Sequence, residues 1–255
     1  EMKNKEINRW QVLIASTCVL LCTGSVYAFS VFAVALSQEQ GWAMPDIMNA
    51  FVINTGISPI PMILGGYLLD RGYAKYVIGV GGVLFGLGFF LSSFATSIAM
   101  LTITYGLLAG VGQGLAYSGA LSNTIKLFPD KRGLASGIIT AGMGGAAIIA
   151  APIASYIIEN GNVSAAFKYL GLAYIAVSVI TYFFIQSAPN GYKPAGWNPP
   201  ENTQGAQGPT NKNWLQMLKT PYFYLIFGMM ATGAFSGLMI TSNASSIGQS
   251  MFGLT

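Results

Sequence analysis

The sequence contains no histidine. That removes the side chain most used as a general base near neutral pH, the commonest metal ligand and the usual proton relay. Cysteine is scarce as well: the two present, Cys18 and Cys22, lie one helical turn apart inside an apolar run. With no other Cys and no His, a metal would lack ligands. The pair reads as two small apolar residues on one helix face, and no metal or cofactor is expected. Charge is the third scarcity. Only 8% of the 255 residues are Asp, Glu, Lys or Arg, against about 25% in a soluble domain. The net charge of +4 comes from few, scattered bases, so the basic stripe of a nucleic-acid binder is missing. No acid pair and no nucleophile elbow interrupts the apolar runs, and an enzyme is not expected.

What is present is apolar: 53% of the chain is hydrophobic. A water-facing surface cannot be built from 20 charges on this length. The first apolar run is too long for a signal peptide and has no small-residue cleavage site. A bilayer core of about 30 Å needs about 20 residues of helix. Seven segments meet that length: 10–36, 46–69, 76–95, 97–120, 133–158, 164–186 and 221–243. Charges stay at their ends, apart from Lys168 near the start of the sixth.

Sorting the bases by loop gives an orientation. Lys3, Lys5 and Arg9 precede the first span; Arg71 and Lys75 follow the second; Lys126, Lys131 and Arg132 follow the fourth; Lys193, Lys212 and Lys219 follow the sixth. If the spans alternate, these lie on one side and Lys168 alone on the other. The positive-inside rule then places the N-terminus in the cytoplasm of a multi-pass plasma-membrane protein.

Residues 187–219 differ in composition, being rich in Pro, Gly and Asn and poor in aliphatics. They read as a cytoplasmic linker. The expected organisation is a six-helix bundle over 1–186, the linker over 187–219 and a first helix of a second bundle over 220–255. Carriers made of two six-helix halves have this plan, with about five more helices expected beyond Thr255.

Small residues recur every four positions: Gly82 and Gly86; Gly106, Gly110 and Gly114; Gly133, Gly137, Ala141 and Gly145. Such faces let helix backbones approach closely in lipid. Pro59, Pro61 and Pro152 are expected to interrupt the second and fifth spans, freeing carbonyls where protein or water covers them.

Two charged turns stand out. In FPDKRGLASG, 128–137, Pro129 ends the fourth span and Asp130 is placed to cap the fifth. In GGYLLDRGYAK, 65–75, Asp70 lies at a helix C-terminus, where the dipole disfavours an anion. It needs a partner, and Lys131 or Arg132 of the other turn, or a helix N-terminus in a second half, would serve. Asp70, Arg71, Asp130, Lys131 and Arg132 then form a candidate cytoplasmic gate closed by ion pairs; a purely structural role for Asp70 fits the sequence equally.

GGYLLDRGYAK resembles the loop 2–3 signature of the major facilitator superfamily, departing from it at Gly72 and Ala74. GVGQG at 110–114 fits the same pattern, although Gly106 stands where many members carry arginine. FPDKRGLASG resembles more narrowly the loop 4–5 signature of the oxalate/formate antiporter family. So do GW at 41–42, PAGWNPP at 194–200, MLKTPYFYLIF at 217–227 and SGLMI at 236–240. The resemblance implies an all-α membrane protein: a six-helix N-terminal bundle of the major facilitator type, followed by the first helix of a truncated C-terminal bundle. It implies transport of small carboxylates such as oxalate, formate or lactate, by exchange or with protons.

Such carriers bind substrate near the bilayer midplane between their halves. Polar residues expected at that depth are Tyr27, Asn54, Tyr105, Gln113, Tyr117 and Asn123. The candidate substrate-binding set is Tyr27, Asn54, Gln113 and Tyr117, with helix–helix hydrogen bonding as the structural alternative. By resemblance, Tyr27 and Tyr117 match positions of substrate-facing aromatics, and Met143 stands where some members have tyrosine. No span holds a central Lys or Arg, and an anion at the midplane is costly without one. Either the cation comes from residues beyond Thr255 or the solute is neutral or amphipathic. A sensor or scaffold without transport is the remaining alternative. A monomer in contact with lipid and one small carboxylate is expected once the chain is complete.

Overall fold

A computed structural model describes residues 7–189, 191, 192, 194 and 214–252. The chain forms two compact units, Glu1–Ala195 and Gly196–Thr255. The first holds six helices long and apolar enough to cross a membrane: α1 (Arg9–Gln40), α2 (Met44–Asp70), α3 (Ala74–Ser92), α4 (Ile98–Leu127), α5 (Arg132–Glu159) and α6 (Val163–Tyr182). The second holds a short helix, α7 (Trp214–Leu218), and α8 (Pro221–Phe252), which contains the seventh apolar segment. Lys3, Lys5, Lys193 and Lys212 of the charge count, most of the linker and most of PAGWNPP lie outside the described residues.

The helix ends follow from local chemistry. Asn8 Oδ1 accepts the Gln11 N–H at the start of α1, and Gly41, at φ 68°, ends it in the left-handed region that favours glycine. Pro45 sits in the first turn of α2, where its missing N–H costs nothing. Gly72, at φ 85°, makes the tight turn into α3. Ser97 caps α4 through the Met100 N–H, and Asn162 caps α6 through Ala165 N–H at 2.7 Å. Pro59 and Pro61 do interrupt α2, which has a joint at Ser58. Pro152 does not interrupt α5: the helix runs unbroken from Arg132 to Glu159.

Glycines set the spacing of the bundle. Gly106, Gly110 and Gly114 face α2, meeting Ala50, Asn54 and Ser58 in turn. Gly112 and Gly119 face α3, meeting Gly81, Phe85 and Ile78. Gly82 and Gly86 of α3 face Ser178 and Ile175 of α6. The stripe on α5 behaves differently: Gly133, Gly137 and Gly145 have no neighbour where a side chain would start. Of the six spans α1 is the most buried, and α2 and α5 are the least.

Two cores fill the bundle. Near the α1–α2 connection Phe29, Phe32, Phe85, Phe89, Tyr105 and Phe167 form an aromatic cluster, with Phe29 stacked on Tyr105 at 4.3 Å between ring centres. At the end carrying the charged turns, Val12, Leu20, Ile78, Leu127, Phe128 and Ile139 form the second.

A methyl on Gly112 would lie 2.6 Å from the Gly81 carbonyl oxygen, and backbone cannot swing aside. Gly112→Ala should cost about 1–3 kcal/mol and lower the melting temperature in detergent. Gly66→Ala, where a methyl meets open space, should leave it unchanged or slightly higher.

Candidate functional site

Tyr27 lies in a single 3₁₀ segment, Gly24–Ala28, that interrupts α1 near its middle. The local cause is Gly24, which sits directly against the Met143 carbonyl and the Ala146 side chain of α5. No larger residue would allow α1 and α5 to cross there. Tyr27 is partly buried and packs against both core clusters, which puts it at the waist of the bundle. Tyr117 of α4 is partly buried against the charged-end cluster, as Tyr27 is. Gln113, one turn from Tyr117, is buried, with its Oε1 lacking any hydrogen-bond partner. Buried amide oxygens rarely stay unpaired, so this group is available to a donor. The structure thus packs Tyr27 and Tyr117 against one cluster, with Gln113 on the same helix as Tyr117.

Asn54 is held elsewhere. Its side chain is fully buried, and Nδ2 donates to the Tyr105 carbonyl at 2.7 Å. That carbonyl lies in a π-helical stretch, Thr102–Ala109, whose ladder changes pitch where Gly110 N–H donates to Leu107. Ser58 Oγ bridges the Asn54 and Gly110 carbonyls at 2.8 and 3.1 Å. Together these contacts bolt α2 to α4 at the α2 joint. Tyr105 belongs to the aromatic core, with no exposed surface. Asn123 is not at mid-depth: it donates to the Gln186 carbonyl at 3.0 Å and accepts from Ala188 N–H at 2.8 Å, tying α4 to the segment after α6.

The charged turns gather at one end of the bundle, but with other partners than the sequence suggests. Asp70 pairs with Lys126, at 3.1 Å, and not with Lys131 or Arg132. Lys126 occupies the last turn of α4, where a cation suits the helix dipole, and α4 packs beside α2. The pair is solvent-exposed, with 81% of the Asp70 side chain accessible. Its contribution to stability is therefore at most about 1 kcal/mol. Arg71 stacks on the Tyr67 ring and donates to its hydroxyl.

Asp130 does not cap α5. The N-cap position is Lys131, with no side-chain cap bond. Asp130 instead accepts from Arg9 at 2.6 Å, because Arg9 is held over the Phe128 ring at 4.9 Å and delivers a charge-assisted bond. Trp10 meets the same ring edge-on at 5.1 Å, and the Lys131 ammonium lies 6.0 Å from Trp10. Sequence reading missed Arg9 and Lys126 as partners; both were visible as bases on the right side of the membrane, but loop bookkeeping does not pair them. It also missed Glu39 at the opposite end, which accepts the Val163 N–H at 2.8 Å and supplies an anion to the N-terminus of α6.

Burial pushes the Asp130 pKa up, but the Arg9 hydrogen bond, a backbone N–H and the charges of Arg9 and Lys131 outweigh it and hold the carboxyl below its ordinary value. A depressed folded pKa stabilises above the unfolded value, near 3.9, and that contribution is lost as pH falls through the folded one. The contact should therefore persist through the neutral range and open only below about pH 4. Trp10 emission, taken as the difference from Trp10→Phe, should change only there; in Arg9→Gln the change should move to higher pH.

Comparison with known proteins agrees with this architecture. The oxalate:formate antiporter of Oxalobacter formigenes is 28% identical over 251 residues, covering 96% of this chain and 56% of that protein. The MFS-type transporter YhjX of Escherichia coli (strain K12) is 26% identical, covering 97% and 60%. Monocarboxylate transporter 12 of Xenopus laevis is 32% identical over 166 residues, covering 64% and 35%. The chain spans little more than half the length of the first two relatives. The Major Facilitator Superfamily model matches residues 15–255. With six antiparallel apolar spans and that match over nearly its whole length, the chain belongs to the major facilitator superfamily.

Proposed function

We propose that the full-length protein is a secondary carrier of small organic carboxylates, of the oxalate, formate or lactate kind, working by alternating access. The observation that carries this reading is the waist cluster: Tyr27 and Tyr117 packed against one hydrophobic cluster, and a buried amide oxygen left unpaired one turn from Tyr117. Similarity to an oxalate:formate antiporter and a monocarboxylate transporter favours carboxylates. Tyr27, Tyr117 and Gln113 supply hydrogen bonds and shape. Asn54 supports them by fixing α2 against α4 beside the site.

No Lys or Arg lies near the middle of the six spans, so the cation that an anion needs at this depth comes from the remaining part of the protein. The same observation supports the second reading, a neutral or amphipathic solute. The domain plan is a six-helix bundle over 1–186, a linker over 187–219 and a second bundle beginning at 220. The excess of bases at the charged end supports a cytoplasmic N-terminus; a plasma-membrane location and a monomeric carrier complete this reading. Asp70 and Arg71 in one turn, and Asp130, Lys131 and Arg132 in the other, belong to the gate at that end. The exposed Asp70–Lys126 pair is cheap to break, as a contact that opens each cycle must be.

Full-length protein in proteoliposomes should exchange labelled oxalate, formate or lactate. Failure with all three, with no competition by any small carboxylate, would refute the carboxylate reading; transport of a neutral solute instead would establish the second. Tyr117→Phe deletes a hydrogen bond to a charged group, about 1.5–3 kcal/mol, and should raise KM about tenfold or more. Asp70→Asn should slow turnover more than it weakens substrate binding. An unchanged turnover would make Asp70 a structural residue.

A further inference from the structure

On the outer face of the first unit, α3 and α6 leave a groove of about 340 Å³, lined by Tyr76, Val80, Val83, Leu84, Val179 and Tyr182. It exists because Gly79 lets the Tyr182 ring come close against α3, leaving Tyr76 and Phe183 as raised walls; Val80 on its floor is 52% exposed. The walls are almost wholly apolar, which suits hydrocarbon and not a water-soluble solute.

At the charged end of this groove stands Lys75. Its ammonium lies 4.4 Å from the centre of the Tyr182 ring, and its own N–H donates to Ser187 Oγ at 3.1 Å, which fixes the start of α3 to the chain leaving α6. Asp70 and Asp130, the acids of this end, are taken by Lys126 and Arg9, and no carboxylate pairs with Lys75 among the described residues. Three tyrosines, Tyr73, Tyr76 and Tyr182, chain ring to ring beside it at 6.2 and 6.1 Å. Tyrosines of this kind mark the level of the lipid headgroups.

We propose that this groove binds one acidic phospholipid, its acyl chain along Val80, Val83 and Val179 and its headgroup phosphate on Lys75. The two halves of the site match the two halves of that molecule: an unpaired, oriented cation at headgroup level and an apolar channel running from it into the membrane. A zwitterionic lipid fits the channel but brings its own cation to Lys75, so the acidic headgroup is preferred.

The test uses full-length protein in nanodiscs of phosphatidylcholine with and without phosphatidylglycerol. Native mass spectrometry should find one retained phosphatidylglycerol, and this lipid should raise the melting temperature above that in phosphatidylcholine alone. Lys75→Gln should lower phosphatidylglycerol occupancy about fivefold. Val80→Trp, which fills the channel from an exposed position, should lower it with the cation intact. Lys168→Gln, at the other end of the bundle, should leave it unchanged. Equal retention of the two lipids, or retention indifferent to Val80→Trp, overturns the proposal. Full displacement by free glycerol phosphate also overturns it, since that would mark a site for soluble phosphate. Wild-type retention decides the matter even if a variant fails to fold.

Discussion

Everything in the bundle depends on how closely its helices can approach. In lipid there is no hydrophobic penalty to drive one apolar helix onto another, so association rests on packing and on hydrogen bonds between helices. α4 shows the consequence. One face sets Gly106, Gly110 and Gly114 against α2, and another sets Gly112 and Gly119 against α3. Backbone then touches backbone on both sides, and the polar groups so buried must find partners in the neighbouring helix. Ser58 and Asn54 do so with the Gly110 and Tyr105 carbonyls. The glycine faces and the polar bolt are two results of the same close approach.

The regular helical ladder fails within the span in the three helices that carry the candidate residues. α1 tightens at Gly24–Ala28, α2 has its joint at Ser58 and Pro59, and α4 widens at Thr102–Ala109. Irregular backbone inside a membrane is tolerated where protein or a cavity covers it, and here the covering is the helix–helix contacts just described. α3 and α6, which have no such break, carry instead the outer groove and its lysine. Polar capacity is concentrated inside, and lipid-facing shape outside.

The two ends of the bundle are held by unlike forces. Stacked and edge-on aromatic rings fill one end. At the other, aliphatic packing is topped by exposed or shallow ion pairs and by cations resting on rings. Ring packing is hard to rearrange because it is dense and dry. Surface ion pairs contribute little and can exchange partners. That asymmetry makes the charged end the easier of the two to rearrange.

Composition and spacing alone determined that the chain crosses lipid, where its six described spans lie to within about four residues except at the end of α4, which runs on to Leu127, that cations crowd one end, and that the glycines of α3 and α4, though not those of α5, mark close helix faces. These follow from local chemistry: hydrocarbon excludes charge, and an unbranched small residue is required wherever backbones meet. Only the tertiary structure decided which partners those residues take. Lys126 rather than Lys131 reaches Asp70; Arg9 rather than the start of α5 takes Asp130; Asn54 satisfies a carbonyl of α4 and Asn123 one of the segment after α6; and Tyr27 and Tyr117 pack against one cluster. Each contact joins residues far apart in the chain, and its geometry is set by helix crossing and rotation. Those depend on the summed packing of every helix at once, which no local pattern of letters contains.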